Sequence, residues 1–206
     1  MLPVRVKVCG ITQPADAMLA AELGAAAIGL VFWPSSPRMV DPGRAREIVL
    51  SLPPFVASVG VFVNQSPADV MRIADLVGLS AVQLHGDEAV ESYRTMPRRV
   101  IKSVPVHDAS AEEMAARVPA TATVLLDAHD PVRRGGTGRT IDWTVAAAIA
   151  RRRPVILSGG LSPENVRAAL AAVSPYGIDV SSGVETTPGR KDPAKLQALF
   201  AALGTL

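Results

Sequence analysis

A cysteine, a carboxylate, a histidine and an arginine stand at or just past the ends of short apolar runs in this 206-residue chain. The first run, 4–9, ends in Cys9-Gly10. Strand alternation puts Arg5, Lys7 and Cys9 on one face and Val4, Val6 and Val8 on the other. A cation beside a thiol favours the thiolate, the form that takes up protons and attacks carbon. A lone cysteine is otherwise a small buried hydrophobe. The run 123–127 ends in Asp127, and aspartate is disfavoured inside strands, so this one is a candidate acid, a helix cap or a salt-bridge partner. His85 ends the run 81–85 and can donate hydrogen bonds, act as acid or base, or make a structural contact. After the second run, Trp33-Pro34-Ser35-Ser36-Pro37-Arg38 is a proline-stiffened loop whose arginine can grip a carboxylate through two N–H groups or simply lie in solvent. Ser158-Gly159-Gly160 and Asp179-Val180-Ser181-Ser182-Gly183 close the last two runs. Glycines there let a ligand approach the backbone, and exposed N–H groups cradle anions. One such loop is explained by a tight turn, but a pair of them points to phosphate. His107 and His129 show no metal-ligand spacing with His85 or Cys9, so neither metal nor cofactor is expected.

These residues need elements to hold them. Eight apolar, β-branched runs recur at 4–9, 26–32, 57–63, 81–85, 99–104, 123–127, 154–158 and 177–181, about 26 residues apart. Helix-like stretches lie between them. Ser66-Pro67-Ala68-Asp69, Ser162-Pro163-Glu164 and Asp192-Pro193 read as helix starts, Ser110 with Glu113 as a capping box, and Gly24, Gly78 and Gly204 as helix stops. Strict alternation of strand and helix means a parallel sheet with helices outside it, either a closed barrel or an open doubly wound sheet. The count of eight favours an α/β single (β/α)8 barrel formed by residues 1–206 as one domain. The open sheet lacks its glycine fingerprint: Cys9-Gly10-Ile11-Thr12 follows the first run instead. In a barrel, chemistry belongs at the carboxyl ends of the strands, where the candidates above lie. The long loop 128–140, with Gly135, Gly136 and Gly138, is a candidate lid.

Composition narrows the function classes. Lys and Arg number 21 against 19 Asp and Glu, and no basic stripe is interleaved with aromatics, so nucleic acid is disfavoured as a partner. With 49% hydrophobic but only 4% aromatic residues, aliphatic side chains and alanine must build the core. A single cysteine excludes an internal disulfide and fits a reducing cytoplasm. The longest uncharged apolar stretch, 24–33, is about half a membrane span, so no membrane partner is expected. A thiol, a carboxylate and a phosphate grip suggest proton transfer on a phosphorylated small molecule, such as an isomerisation.

The motifs also resemble those of the phosphoribosylanthranilate isomerase family across essentially the whole chain. The matching segments are Val6-Lys7-Val8-Cys9-Gly10-Ile11-Thr12, Ser36-Pro37-Arg38, Val59-Gly60-Val61-Phe62-Val63-Asn64, Val82-Gln83-Leu84-His85-Gly86-Asp87-Glu88, Leu126-Asp127, Gly135-Gly136-Thr137-Gly138, Ser158-Gly159-Gly160-Leu161-Ser162-Pro163-Glu164-Asn165-Val166, Asp179-Val180-Ser181-Ser182-Gly183-Val184-Glu185 and Pro188-Gly189-Arg190-Lys191-Asp192. The resemblance implies an Amadori rearrangement in tryptophan biosynthesis, with Asp127 as general acid and Cys9 as general base. It implies that Arg38 holds the anthranilate carboxylate and that Gly159, Gly160, Ser181, Ser182 and Gly183 bind phosphate. His85, Lys7 and Asp179 complete the substrate-binding candidates. For these roles the Asp127 pKa should be raised by burial and the Cys9 pKa lowered by Lys7. A monomer or homodimer is expected. Two rivals are the related histidine-pathway isomerase, whose design resembles two aspartates with Cys9 in the place of one, and a non-catalytic phosphate sensor or scaffold that needs neither Cys9 nor Asp127.

Overall fold

The computed structural model describes residues 4–128 and 140–204. Eight parallel strands close on themselves in sequence order: β1 (Arg5–Val8), β2 (Ala27–Val31), β3 (Ala57–Phe62), β4 (Ala81–Leu84), β5 (Arg99–Val106), β6 (Ala122–Ala128), β7 (Val155–Leu157) and β8 (Gly177–Val180). The seam between first and last strand is in register from Arg5 beside Gly177 to Val8 beside Val180, which sets Lys7 against Asp179. The closed barrel expected from the eight runs is the fold, and the open sheet is excluded.

Seven α-helices are described outside the barrel: α1 (Pro14–Glu22), α2 (Pro42–Ser51), α3 (Pro67–Val77), α4 (Ser110–Arg117), α5 (Trp143–Ala150), α6 (Val166–Val173) and α7 (Pro193–Leu203). Local sequence explains most of their ends. Ser66 Oγ accepts from the Asp69 N–H to start α3, and Gly78 stops it in the left-handed region at φ 80°. Asp192 Oδ1 accepts from Ala194 and Lys195 N–H to start α7. Two starts differ from expectation. The Ser110–Glu113 box does not form: Asp108 Oδ1 takes the Ser110 N–H, and Glu113 pairs with Arg117 one turn on. Ser162-Pro163-Glu164 is a turn ahead of α6, held by Asn165, whose side chain accepts from Ser162 N–H and donates to the Gly160 carbonyl.

Between β4 and β5 the connection makes only a 3-10 turn, Val90–Tyr93, where a helix was expected. Glu88 is committed elsewhere: its carboxylate accepts from the N–H groups of Asn64 and Gly86 and pairs with Lys102 at 3.1 Å. Gly86 before it and Pro97 after it bound the segment. This connection follows His85, so the loop is fastened by charge where packing against a helix is missing.

Alternation sorts the strand residues. Val6, Val8, Ile28, Leu30, Val82, Leu84, Val124, Leu126, Ile178 and Val180 face the helices and join the main core. Val59, Ile101 and Leu125 fill the barrel's interior, with Ala27, Ala81 and Ile156 packed against them. Nearer the carboxyl ends four inward residues are polar, Lys7, Gln83, Asp127 and Asp179, all buried, while Val31 and Val61 keep the β2–β3 side apolar. Apolar layers below and polar groups above is the arrangement that leaves the carboxyl-end mouth for chemistry. No described helix is long and apolar enough to cross a membrane.

Candidate active site

A cavity of about 730 Å³ opens at the carboxyl ends of the strands. Cys9, Arg38, His85, Asp127, Asp179 and Ser181 all line it, each from a different βα unit except the last two. Trp33, Val31, Val61 and Val63 add an apolar wall on the β2–β3 side. Among the described residues no group of three or more His, Cys, Asp or Glu could hold a metal ion.

Lys7 lies beneath this floor and does not line it. Its Nζ donates to Asp179 Oδ1 at 2.9 Å, with both side chains buried. Burial alone would depress the Lys7 pKa, but Asp179 and then Cys9 more than reverse this, and the ammonium is held charged. Cys9 is pressed against the neighbouring strand. A methyl group on Gly29 would come within 2.6 Å of its Sγ and 3.0 Å of Lys7 Nζ, so only glycine leaves room for the thiol and its cation.

The expected pKa shifts are both reversed. Burial pushes the Cys9 thiol up by more than Lys7 pulls it down, because Asp179 shares that cation and itself opposes the thiolate. Burial would raise Asp127 as well, but the His85 hydrogen bond leads the opposing causes, with the Ala128 N–H and the Ser158 side chain behind it, and the carboxyl falls below its ordinary range. His85 Nε2 lies 3.1 Å from Asp127 Oδ2. Reading one strand at a time gives the nearest charge but not the burial that competes with it, and it misses partners two strands away.

Arg38 is buried rather than solvated. Its Nε donates to both Glu185 oxygens, at 3.0 and 3.1 Å, and Nη2 donates to Oε2 at 2.6 Å. The fork expected to grip a ligand carboxylate therefore holds an internal one, while Nη1 takes no part in that pair. Glu185 also accepts from Lys191 Nζ at 2.8 Å and from Gly189 N–H at 3.2 Å. Lys191, whose side chain is fully buried, reaches on to the carbonyls of Cys9 and Ser181. Glu185 and Lys191 stand on a two-stranded hairpin after the barrel, β9 (Glu185–Thr187) and β10 (Arg190–Lys191). This network ties the ends of β1 and β8 to the arginine loop. Its motifs were visible as a resemblance, but no local spacing announces a triple contact across 147 residues. Gln83, which also lines the cavity, was missed as a candidate, although a signal for it was there: it lies two residues before His85 on the same inward face.

The glycine loops sit side by side. Gly159 and Gly160 both have positive φ, at 87° and 61°, turning the chain tightly after β7. A methyl group on Gly183 would run into the Leu161 carbonyl, so the loops after β7 and β8 are in backbone contact. Ser182 begins a single 3-10 turn, Ser182–Val184. Of these two loops Ser158 and Ser181 reach the cavity lining, while Gly159, Gly160, Ser182 and Gly183 flank it. The candidate lid glycines, Gly135, Gly136 and Gly138, lie outside the described residues, as does His129.

A family model described as N-(5'phosphoribosyl)anthranilate (PRA) isomerase matches residues 6–202. A protein named N-(5'-phosphoribosyl)anthranilate isomerase from Geobacter sulfurreducens is 50% identical over 194 residues, covering 94% of this chain and 95% of its own. The crystal structure of phosphoribosyl anthranilate isomerase from Thermotoga maritima superposes with a TM-score of 0.92 at 44% identity, covering 98% of this chain and all of that one. Another solved phosphoribosyl anthranilate isomerase, in complex with reduced 1-(o-carboxyphenylamino)-1-deoxyribulose 5-phosphate, has a TM-score of 0.88 at 42% identity, covering 98% of this chain and all of that one.

Proposed function

Because the chain belongs to the N-(5'-phosphoribosyl)anthranilate isomerase family, we infer that Cys9 and Asp127 divide the proton transfers of that reaction between them. The enzyme is an isomerase of tryptophan biosynthesis that converts N-(5'-phosphoribosyl)anthranilate to 1-(2-carboxyphenylamino)-1-deoxyribulose 5-phosphate. The observation that carries the assignment is the shared cavity: thiol, carboxyl, arginine and the phosphate-side serine all open into one space.

In this reading Asp127 gives its proton to the furanose ring oxygen as the C1′–O bond breaks, leaving a Schiff base. Cys9 thiolate removes the C2′ proton, and the enolamine tautomerises to the ketone. The two steps together leave Asp127 ionised and Cys9 protonated, which is the state the free site favours. The starting form holds the same single proton on the other partner. A bound anionic substrate raises the proton affinity of Asp127, since like charge nearby favours the neutral carboxyl. Arg38 meets the anthranilate carboxylate through the side of its guanidinium that Glu185 leaves open. The loops at Gly159, Gly160, Ser181, Ser182 and Gly183 take the phosphate, mainly through backbone N–H groups. His85 holds Asp127, Lys7 and Asp179 hold the Cys9 end of β1, and residues 1–206 act as one catalytic domain, as monomer or homodimer.

Loss of substrate fluorescence tests the roles. Cys9→Ala and Asp127→Asn should each collapse kcat with a lesser effect on KM, by about 10²–10⁴-fold for a positioned acid or base. Turnover within about tenfold of wild type in either variant removes that residue from its role. Arg38→Ala should raise KM, and an unchanged KM argues against the carboxylate grip.

A further inference from the structure

Gln83 lies on β4 two residues before His85, points into the barrel and is 1% exposed. Its Nε2 is 2.9 Å from His85 Nδ1, and the other ring nitrogen faces Asp127 Oδ2 at 3.1 Å. Gln83 Oε1 is buried with no hydrogen-bond partner among the described residues. A buried acceptor left unmatched costs about 1–3 kcal/mol, so its place in the lining of the cavity asks for a reason.

Hydrogen-bond direction supplies one. An amide nitrogen only donates, so this orientation needs a bare Nδ1 on His85. The ring proton is then on Nε2 and is donated to Asp127, an arrangement that the ionised carboxylate, the stronger acceptor, favours. Half a turn of the amide puts Oε1 on Nδ1, which must now carry the proton. A neutral ring then offers a lone pair at Nε2, and Asp127 makes that bond only as the donor, when protonated. The two ends of an amide have nearly the same shape, so the turn needs no repacking.

We propose that Gln83 is a positioning residue whose amide rotates with the protonation of Asp127, reversing the hydrogen bonds through His85 so that the carboxyl can hold the acid proton inside the barrel. The proposal rests on Asp127 being the acid. The other groups facing Asp127 do not replace Gln83. Ser158 on the β7 side and the Ala128 N–H bond to the carboxyl itself, and Asp179 on β8, paired with Lys7 on β1, acts on it only through charge. None of them is bonded to His85 Nδ1, so among the described residues only Gln83 can match the ring in both states.

Nitrogen-15 NMR of the His85 ring, assigned by its loss in His85→Asn, tests this directly. Wild type near neutral pH should carry the proton on Nε2. Asp127→Asn, whose amide stands in for the protonated carboxyl, should carry it on Nδ1. Gln83→Met, similar in length but without hydrogen-bonding amide atoms, should lower kcat about 10–100-fold, the usual range for a residue that orients a functional group. Its KM should stay within about threefold, since binding is not what it loses. The same protonated nitrogen in wild type and Asp127→Asn overturns the proposal, as does a Gln83→Met kcat within about twofold of wild type. If Gln83→Met does not fold, Gln83→Glu serves: an ionised carboxylate only accepts, so His85 must carry a proton on Nδ1, and a ring protonated on Nε2 alone overturns the proposal. Full turnover by Asp127→Asn would instead remove Asp127 as the acid, a failure read by activity and separate from the ring signal.

Discussion

Glu185→Gln tests whether the network on the hairpin holds the site together. The substitution keeps shape and removes one charge. In the fold, that charge neutralises two buried cations, Arg38 through three contacts of 2.6–3.1 Å and Lys191 through one of 2.8 Å. Removing one partner of a buried pair costs about 3–5 kcal/mol, because the remaining charge has lost both water and counter-ion. Here two charges are stranded, and the glutamine oxygen can still accept from one of them, so the same range applies. For a chain of this size each kcal/mol lowers Tm by about 2–4 °C, which gives a drop of about 6–20 °C. The pH dependence gives a sharper test. Arg38 and Lys191 hold the Glu185 carboxyl below its ordinary range against burial. Its stabilisation is complete above the ordinary glutamate pKa and drains away as pH falls through the folded value. Glutamine lacks that loss. Lys191 runs the other way: burial lowers its pKa, so the unfolded chain binds more protons between the folded value and the ordinary one, and stability rises with pH across that interval. Without Glu185 the interval widens downward. The deficit of Glu185→Gln should therefore be largest between the ordinary glutamate and lysine values, shrink as rising pH takes the proton from Lys191, and shrink as falling pH protonates Glu185 in wild type. Urea denaturation across this pH range measures it. A deficit under about 1 kcal/mol at neutral pH, or one that does not shrink at either end, refutes the network as a support.

Cys9 is the only cysteine, so alkylation reads its ionisation cleanly. With its pKa raised by burial, iodoacetamide should label the free enzyme slowly near neutral pH and faster above about pH 9, and rapid labelling at pH 7 would show a thiolate at rest. Gly183→Ala forces a methyl group into the Leu161 carbonyl, and forced overpacking costs about 1–3 kcal/mol. The two loops must part, so weaker protection by inorganic phosphate in thermal melts is expected along with a raised KM, and unchanged phosphate protection would place the anion elsewhere.

The barrel was legible because its signals are local and repeated. Val4, Val6 and Val8 against Lys7 and Cys9 is one strand's alternation, and it placed both faces of β1 correctly. Serine and aspartate ahead of proline marked α3 and α7 for the same reason. The missing helix before β5 was not legible, since Glu88 spends its carboxylate on Asn64, 24 residues earlier. Nor was the grip on Arg38: a flexible side chain chooses its partner from whatever the closed barrel brings near, and Glu185 arrives from the far end of the chain. Electrostatic direction failed at Cys9 because the charge on Lys7 can be read from spacing whereas the water removed from the thiol cannot, and at Asp127 because burial was weighed without the hydrogen bond that His85 brings from two strands away.

The seam between β1 and β8 also sets an order of events during synthesis. Lys7 and Asp179 are 172 residues apart, and Lys191 meets the Cys9 carbonyl across 182. On the ribosome the first strand emerges well before the last strand and the hairpin, so its cation and thiol have no counter-groups until those have been made. Until then β1 is an open edge with a charged, inward-facing row, and lysine on an edge is a known deterrent to pairing with another chain. Contacts this distant in sequence form last and slow the final closure. The same Lys7 that fixes Asp179 in the finished enzyme thus guards the nascent one against its neighbours, and chemistry can begin only when the final turn of the barrel locks.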